Sequence, residues 1–302
     1  MRFIKRLFLF LLLLTIVIYL IPTYPSNFFD SYTIKDKASI SLKKFQSMPT
    51  NEIEVDGIRW KYYTGGNGNK TILFLHGMGG AYNLWWQQIT EFENDYKVIS
   101  YTLPKEINSL KKASEGLLKI LEKEGVDQFY IVGTSMGGYI AQYLVKIIPN
   151  KIEKVVFGNT FPPNDLLARQ NKKQSSIIPL LPEIVFSKLG EKKLNEELIP
   201  AAKNSKLLKD FLSSLPSDKK QFKNRYEVVV DKFTATPEEN SIKRIPKLII
   251  ESDNDPLIPL VLRTEIKQLY PDAKVYTFHN EGHFPYINAA EEYNKVLREF
   301  FK

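Results

Sequence analysis

The chain has 302 residues, a formal charge of +8 and no cysteine. That excludes a disulfide framework, a thiolate zinc site and a cysteine nucleophile. A hydrophobic share of 43% and an aromatic share of 13% suffice for a large core and exclude global disorder. Three of the positive charges, Arg2, Lys5 and Arg6, sit at the front, and no Lys/Arg cluster interleaved with aromatics marks a nucleic-acid surface.

Residues 7–21 form a charge-free apolar run behind that basic front. As a helix the run reaches about 22 Å, short of a hydrocarbon core of about 30 Å. Phe3 and Ile4 extend the apolar surface, Lys5 and Arg6 can snorkel to headgroups, and Tyr19 and Tyr24 suit the opposite interface. A cleaved secretory signal competes with this reading, but Ile21-Pro22-Thr23-Tyr24-Pro25-Ser26 offers no small-x-small cleavage pair. The expectation is an uncleaved signal anchor over residues 1–24, its basic end cytoplasmic and the remainder outside.

Residues 25–50 lie in a polar stretch without clear period and are expected to form a linker to one folded domain, residues 51–302. Within it, Ile53 to Tyr63 alternates about Asp56-Gly57 and reads as a hairpin. Short apolar strands follow at Thr71–Leu75, Lys97–Tyr101, Gln128–Val132, Lys154–Phe157, Lys247–Glu251 and Lys274–Phe278. Helical patterns at Asn83–Glu93, Asn108–Glu124, Tyr139–Ile148 and Glu291–Phe301 alternate with them. Such alternation predicts a mostly parallel central sheet. Between Phe157 and Lys247 no strong strand pattern occurs, and five helical stretches, with prolines between several of them, predict a helical lid over about residues 160–243.

Gly133-Thr134-Ser135-Met136-Gly137 runs from the strand ending at Val132 straight into a helix, so Ser135 projects from a sharp turn that glycines make room for. A neutral serine attacks poorly and needs a histidine within hydrogen-bond reach. The chain has only His76, His279 and His283. His283 lies in a loop beyond the strand Val275–Phe278, His279 ends that strand, and His76 belongs to the glycine loop Gly77-Met78-Gly79-Gly80. An orienting acid is sought on Asp253 and Asp255, after the strand Lys247–Glu251, with Asp165 a more remote choice. The glycine loop has neither a G-K-[ST] ending nor Rossmann spacing, and no cofactor or metal is expected.

Together these four segments resemble the α/β-hydrolase superfamily, in its lipase, esterase and aminopeptidase-like branch, over about residues 50–302. The resemblance implies an α/β-hydrolase fold and the chain order serine, acid, histidine, hence Ser135, Asp255 and His283 as catalytic residues. Asp255 is preferred because Asp255-Pro256-Leu257-Ile258-Pro259 resembles the run around the acid of many members. The resemblance further implies an oxyanion hole of backbone N–H groups, from Met136 after the nucleophile and from Met78, with Gly79 the alternative. Thr134 to Gln142, Leu269 to Ala273 and Phe284-Pro285-Tyr286 look most like maspardin-type proteins, whose namesake has lost the histidine that is present here. Many relatives carry Asp-x-x-Gly-x-Gly where this chain has Tyr101-Thr102-Leu103-Pro104-Lys105, so the rim of the site departs from theirs.

The expected function is therefore that of a membrane-anchored serine hydrolase cleaving a carboxylic ester, its substrate a small molecule or lipid-like. The alternatives are a non-catalytic binding or scaffold protein of the same fold, or cleavage of an amide or carbon–carbon bond.

Overall fold

The computed structural model describes residues 2–302. Eight strands, β1 (Asn51–Val55), β2 (Ile58–Gly65), β3 (Thr71–Leu75), β4 (Lys97–Thr102), β5 (Phe129–Thr134), β6 (Ile152–Gly158), β7 (Lys247–Ser252) and β8 (Lys274–Phe278), form one sheet in the order β1-β2-β4-β3-β5-β6-β7-β8. β1 and β2 pair antiparallel as a hairpin through Asp56 and Gly57, both at positive φ, and β2 pairs antiparallel with β4; every other pairing is parallel. Every residue of β3, β5 and β7 is buried. Strands covered on both faces read as continuous apolar runs rather than alternation, which is why these three stand out in the sequence.

Fifteen helices occur among the described residues, and several of them cover the two faces of the sheet. On one face, α5 (Leu110–Lys123), α6 (Met136–Ile147) and α13 (Leu260–Leu269) bury Leu117, Ile120, Ile140, Leu144, Leu262 and Ile266 against Leu73, Ile131 and Ile249. On the other, α4 (Trp86–Phe92) and α15 (Ala290–Phe301) pack Trp86, Ile89, Phe92, Leu297 and Phe301 against Phe74, Val132 and Val156. The strands lie within two residues of their expected bounds. α13 is an element the sequence reading did not anticipate.

Between β6 and β7 the chain is helical throughout its regular elements: α7 (Leu166–Ile177), α8 (Glu183–Lys193), α9 (Ile199–Ala201), α10 (Lys206–Ser214), α11 (Lys219–Val230) and α12 (Asn240–Lys243).

One expectation at the front needs correction. The first helix, α1, spans Arg2–Leu20, within the stretch 1–24 expected to form an anchor, and at 1.5 Å per residue reaches about 28 Å. Its window Phe3–Leu20 is long and apolar enough to cross a membrane, with mean hydropathy 2.3 and none of it buried. The stretch expected to be an irregular linker instead carries α2 (Phe28–Ser31) and α3 (Lys37–Gln46). α3 starts on a capping box in which Asp36 accepts from Ser39 N–H while the Ser39 hydroxyl accepts from Asp36 N–H. Phe28, Tyr32, Leu42 and Phe45 are buried in the second core, so this segment is part of the folded body. Its apolar residues are too widely spaced among serines and lysines to give a readable period.

Candidate active site

The sheet register sets the site. Leu75 pairs with Gly133, Thr134 with Gly158, Gly158 with Ile250, and Ser252 with Phe278. The carboxyl ends of β3, β5, β6, β7 and β8 therefore form one edge, and the loops leaving it carry His76, Ser135, Asn159, Asp255 and His283. Open parallel sheets present their functional groups at this edge.

Ser135 sits between β5 and α6 at φ 54°, ψ −121°, a conformation costly for a residue with a Cβ. The surroundings enforce it. Ser135 N–H donates to the Gly158 carbonyl at 2.9 Å, and the Ser135 carbonyl accepts from Tyr139 N–H at 3.0 Å and Thr160 Oγ1 at 2.6 Å. A Cβ on Gly137 would fall on the Leu75 carbonyl oxygen, and one on Gly133 on the Gly137 carbonyl. No side chain caps the start of α6, so the N–H groups of Met136 and its successors keep the unpaired donor character of a helix N-terminus.

Asp255 and His283 meet. His283 Nδ1 lies 2.8 Å from Asp255 Oδ2 and 3.0 Å from Oδ1. Asp255 Oδ1 also accepts from Leu257 N–H (2.8 Å) and Ile258 N–H (3.1 Å), and Oδ2 accepts from Asn159 Nδ2 (2.9 Å). Burial pushes the Asp255 carboxyl up, but the His283 charge and the bonds from His283, Asn159 and Leu257 N–H together outweigh it and hold the carboxyl below its ordinary value. An ionised carboxylate only accepts, so His283 carries its proton on Nδ1, which leaves Nε2 with a free lone pair in the neutral ring. Among the described residues, Ser135 Oγ makes no hydrogen bond to His283.

The rival residues pair with each other instead. His279 Nδ1 is 2.7 Å from Asp253 Oδ2, at the surface. Asp165 is exposed and bound to Lys232.

The glycine loop lies against Ser135: a Cβ on Gly77 would be 3.2 Å from Ser135 Cβ. His76, fully buried, is neutral there. Its Nδ1–H donates to the Gly77 carbonyl at 2.7 Å and its Nε2 accepts from Leu103 N–H at 3.0 Å. Burial, reinforced by the nearby Arg225 charge, lowers its pKa to about 3. The Gly77 carbonyl also accepts from Gly80 N–H at 2.9 Å. Because the N–H and C=O of one peptide point in opposite directions, pinning the Gly77 carbonyl turns the Met78 N–H to the other side of the loop.

Two polar residues at this edge escaped the sequence reading. Asn159, at φ 38°, follows β6 and braces Asp255; its signal was its place directly after an apolar strand run. Arg225, on α11, is fully buried and bonds to loop carbonyls around the glycine loop. In sequence it is one of many charges on a polar helix and gives no signal. No group of three or more His, Asp or Glu among the described residues is arranged to hold a metal.

The chain matches the sequence model of the alpha/beta hydrolase fold over residues 70–290. It is 23% identical over 260 residues, 80% of this chain and 96% of the relative, to a pimeloyl-[acyl-carrier protein] methyl ester esterase of Hamiltonella defensa. It is 22% identical over 233 residues, 75% of this chain and 72% of the relative, to maspardin of Danio rerio. Among solved structures, a hydrolase from Pseudomonas aeruginosa superposes with a TM-score of 0.72 at 17% identity, covering 84% of this chain and 99% of the other. A match over residues 70–290 takes in β3 to β8 and every loop of the edge described above, and the chain belongs to the α/β-hydrolase family.

Proposed function

We propose that the protein is a membrane-tethered serine hydrolase that cleaves a carboxylic ester through Ser135, His283 and Asp255. The observation that carries this reading is the buried Asp255–His283 pair on the same strand edge as the strained Ser135. His283 Nε2 takes the Ser135 hydroxyl proton as Oγ attacks the ester carbonyl. The carbonyl oxygen becomes an oxyanion that accepts from the Met78 and Met136 N–H groups. The tetrahedral intermediate collapses, the C–O bond to the alcohol breaks, and His283 returns the proton to the leaving alkoxide. Water, deprotonated by His283, then attacks the acyl-enzyme and releases the acid, regenerating Ser135. Asp255 keeps the imidazole in the Nδ1–H tautomer and offsets the charge it gains. In unliganded enzymes the serine–histidine hydrogen bond is often long and tightens on substrate binding.

Where an oxyanion donor is a side chain, losing it costs about 3–4 kcal/mol of transition-state stabilisation, which sets the scale for these backbone donors. The helices between β6 and β7 act as a lid over the edge. α1 anchors the chain, with the catalytic domain on the extracytoplasmic side. The methyl ester esterase among the relatives agrees with an ester substrate, while relatives of similar identity are named as 2-hydroxy-6-oxononadienedioate hydrolase and carbamate hydrolase, which keeps carbon–carbon and carbamate cleavage as the competing readings. The test is labelling by a fluorophosphonate probe, with Ser135→Ala expected to abolish it. Equal labelling of the Ser135→Ala protein rejects the assignment.

A further inference from the structure

A guanidinium sealed from water ordinarily meets a carboxylate. Arg225 does not. It is 0% exposed, and its three hydrogen bonds all go to backbone carbonyls: Nη1 donates to Met78 O (2.7 Å) and Gly80 O (2.9 Å), and Nη2 donates to Leu103 O (2.8 Å). Met78 and Gly80 belong to the loop after β3, and Leu103 to the segment after β4. His76 spans the same two segments from the sheet side, through Gly77 O and Leu103 N–H. The glycine loop is therefore clamped between an imidazole rooted in the sheet edge and an arginine brought in by the helical insertion.

The chemistry of the clamp is directional. A hydrogen bond to a peptide carbonyl polarises that peptide and strengthens the N–H on its far side. His76 acts in this way on the Met78 N–H, and Arg225 on the Gly79 N–H; these are the two candidate oxyanion donors. The loop is glycine-rich, and a Cβ on Gly79 would meet nothing within 4 Å, so packing does not fix it there. Hydrogen bonds are what remain to hold it.

We propose that Arg225 is a positioning residue for the oxyanion loop, so that the loop takes its anion-binding form only while α11 is seated against the sheet edge. This rests on the reading of Ser135 and Met78 given above and adds a coupling between the helical insertion and the oxyanion hole. A lid element that withdrew would take the guanidinium with it and release the carbonyls of residues 78, 80 and 103.

The test compares Arg225→Met, which keeps much of the stem, with Arg225→Lys, which keeps the charge but not the planar fork, and with Glu227→Gln. Glu227 is on the same helix but bonds to Asn108 and Lys223, not to the loop. On a short p-nitrophenyl ester, kcat is expected to fall at least tenfold in Arg225→Met with KM changed less than threefold. Arg225→Lys should fall between that variant and the native protein, and Glu227→Gln should match the native protein. Backbone amide exchange of residues 77–80, measured on the same full-length proteins, should speed at least tenfold in Arg225→Met, whether or not the native protein turns over an ester. If fluorophosphonate labels no protein, the catalytic reading fails while the exchange result still decides the clamp. If Arg225→Met folds and exchanges residues 77–80 at the native rate, or if Glu227→Gln loses as much kcat as it does, the proposal is overturned. Should Arg225→Met not fold, native-like exchange of the loop in Arg225→Lys overturns it equally.

Discussion

His283 Nδ1 and Asp255 Oδ2 are 2.8 Å apart with side chains 4% and 0% exposed, while His279 and Asp253 form a pair of the same chemistry, 2.7 Å long, with side chains 75% and 43% exposed. Nearly equal distances thus conceal unequal environments. In water the attraction is screened and the contact is worth little; in the sealed pair the carboxylate can fix the tautomer of its histidine. The prediction is a sharp asymmetry between two near neighbours. Asp255→Asn should lower kcat by about 10⁴, because an amide facing Nδ1 no longer enforces the proton there. Asp253→Asn and His279→Gln should change kcat less than about threefold. Steady-state rates on one ester, with circular dichroism to verify folding, decide between them.

Glycines on the Ser135 side of the edge differ as sharply. A Cβ at Gly137 would strike the Leu75 carbonyl oxygen, a backbone atom in the centre of the sheet that has nowhere to go. Gly137→Ala should therefore destabilise by about 3 kcal/mol or more through overpacking, visible as a fall in thermal midpoint or as insoluble protein. Gly79→Ala should leave the midpoint within about 2 °C, since the space is open there. A soluble Gly137→Ala protein of native stability would contradict the close approach of α6 to β3.

His76 sets a pH dependence of stability. Its folded pKa is lowered to about 3 by burial and by Arg225, against an unfolded value of about 6.5. The unfolded chain therefore binds a proton that the folded chain refuses. Stability from this residue is complete above pH 6.5 and is lost as pH falls from there towards 3, at up to about 1.4 kcal/mol per pH unit. Urea unfolding measured between pH 7 and 4 should show that slope, and His76→Asn, though less stable at neutral pH, should show a flatter one. Parallel slopes in the two proteins would mean that the imidazole is not buried neutral.

How much of this was legible follows from which interactions leave a local trace. Ser135 was readable because its turn demands glycines within two residues on either side, and β3, β5 and β7 because burial on both faces makes a run apolar throughout. Asp255 and Asp253 were not separable by polarity, since both follow the same strand; what separates them is burial, and a hydrogen bond to Asp255 from Asn159, in the loop after β6. Arg225 was invisible because its partners are backbone carbonyls more than a hundred residues away, which carry no sequence mark. α3 was missed because its buried face is only Ser39, Leu42 and Phe45, one of them polar, while Ile40 lies exposed on another side of the same ten residues and blurs the period.

That last miss changes where the chain can be cut. None of the α1 window Phe3–Leu20 is buried, although the Tyr19 hydroxyl donates to the Leu180 carbonyl. A chain beginning at residue 25 should therefore stay folded, with a thermal midpoint within a few degrees of the full-length protein, and should no longer sediment with membranes. A chain beginning at residue 51 removes Phe28, Tyr32, Leu42 and Phe45 from a core in which Phe45 packs on Tyr63 and Tyr82, and Phe28 on Phe211. Each such loss is comparable to a large-to-small core substitution of about 2–5 kcal/mol, a large part of the 5–15 kcal/mol that stabilises a typical domain. The shorter chain should aggregate or bind a hydrophobic dye. Equal solubility and equal thermal midpoints for the two truncations would show that residues 25–50 contribute nothing to the folded body.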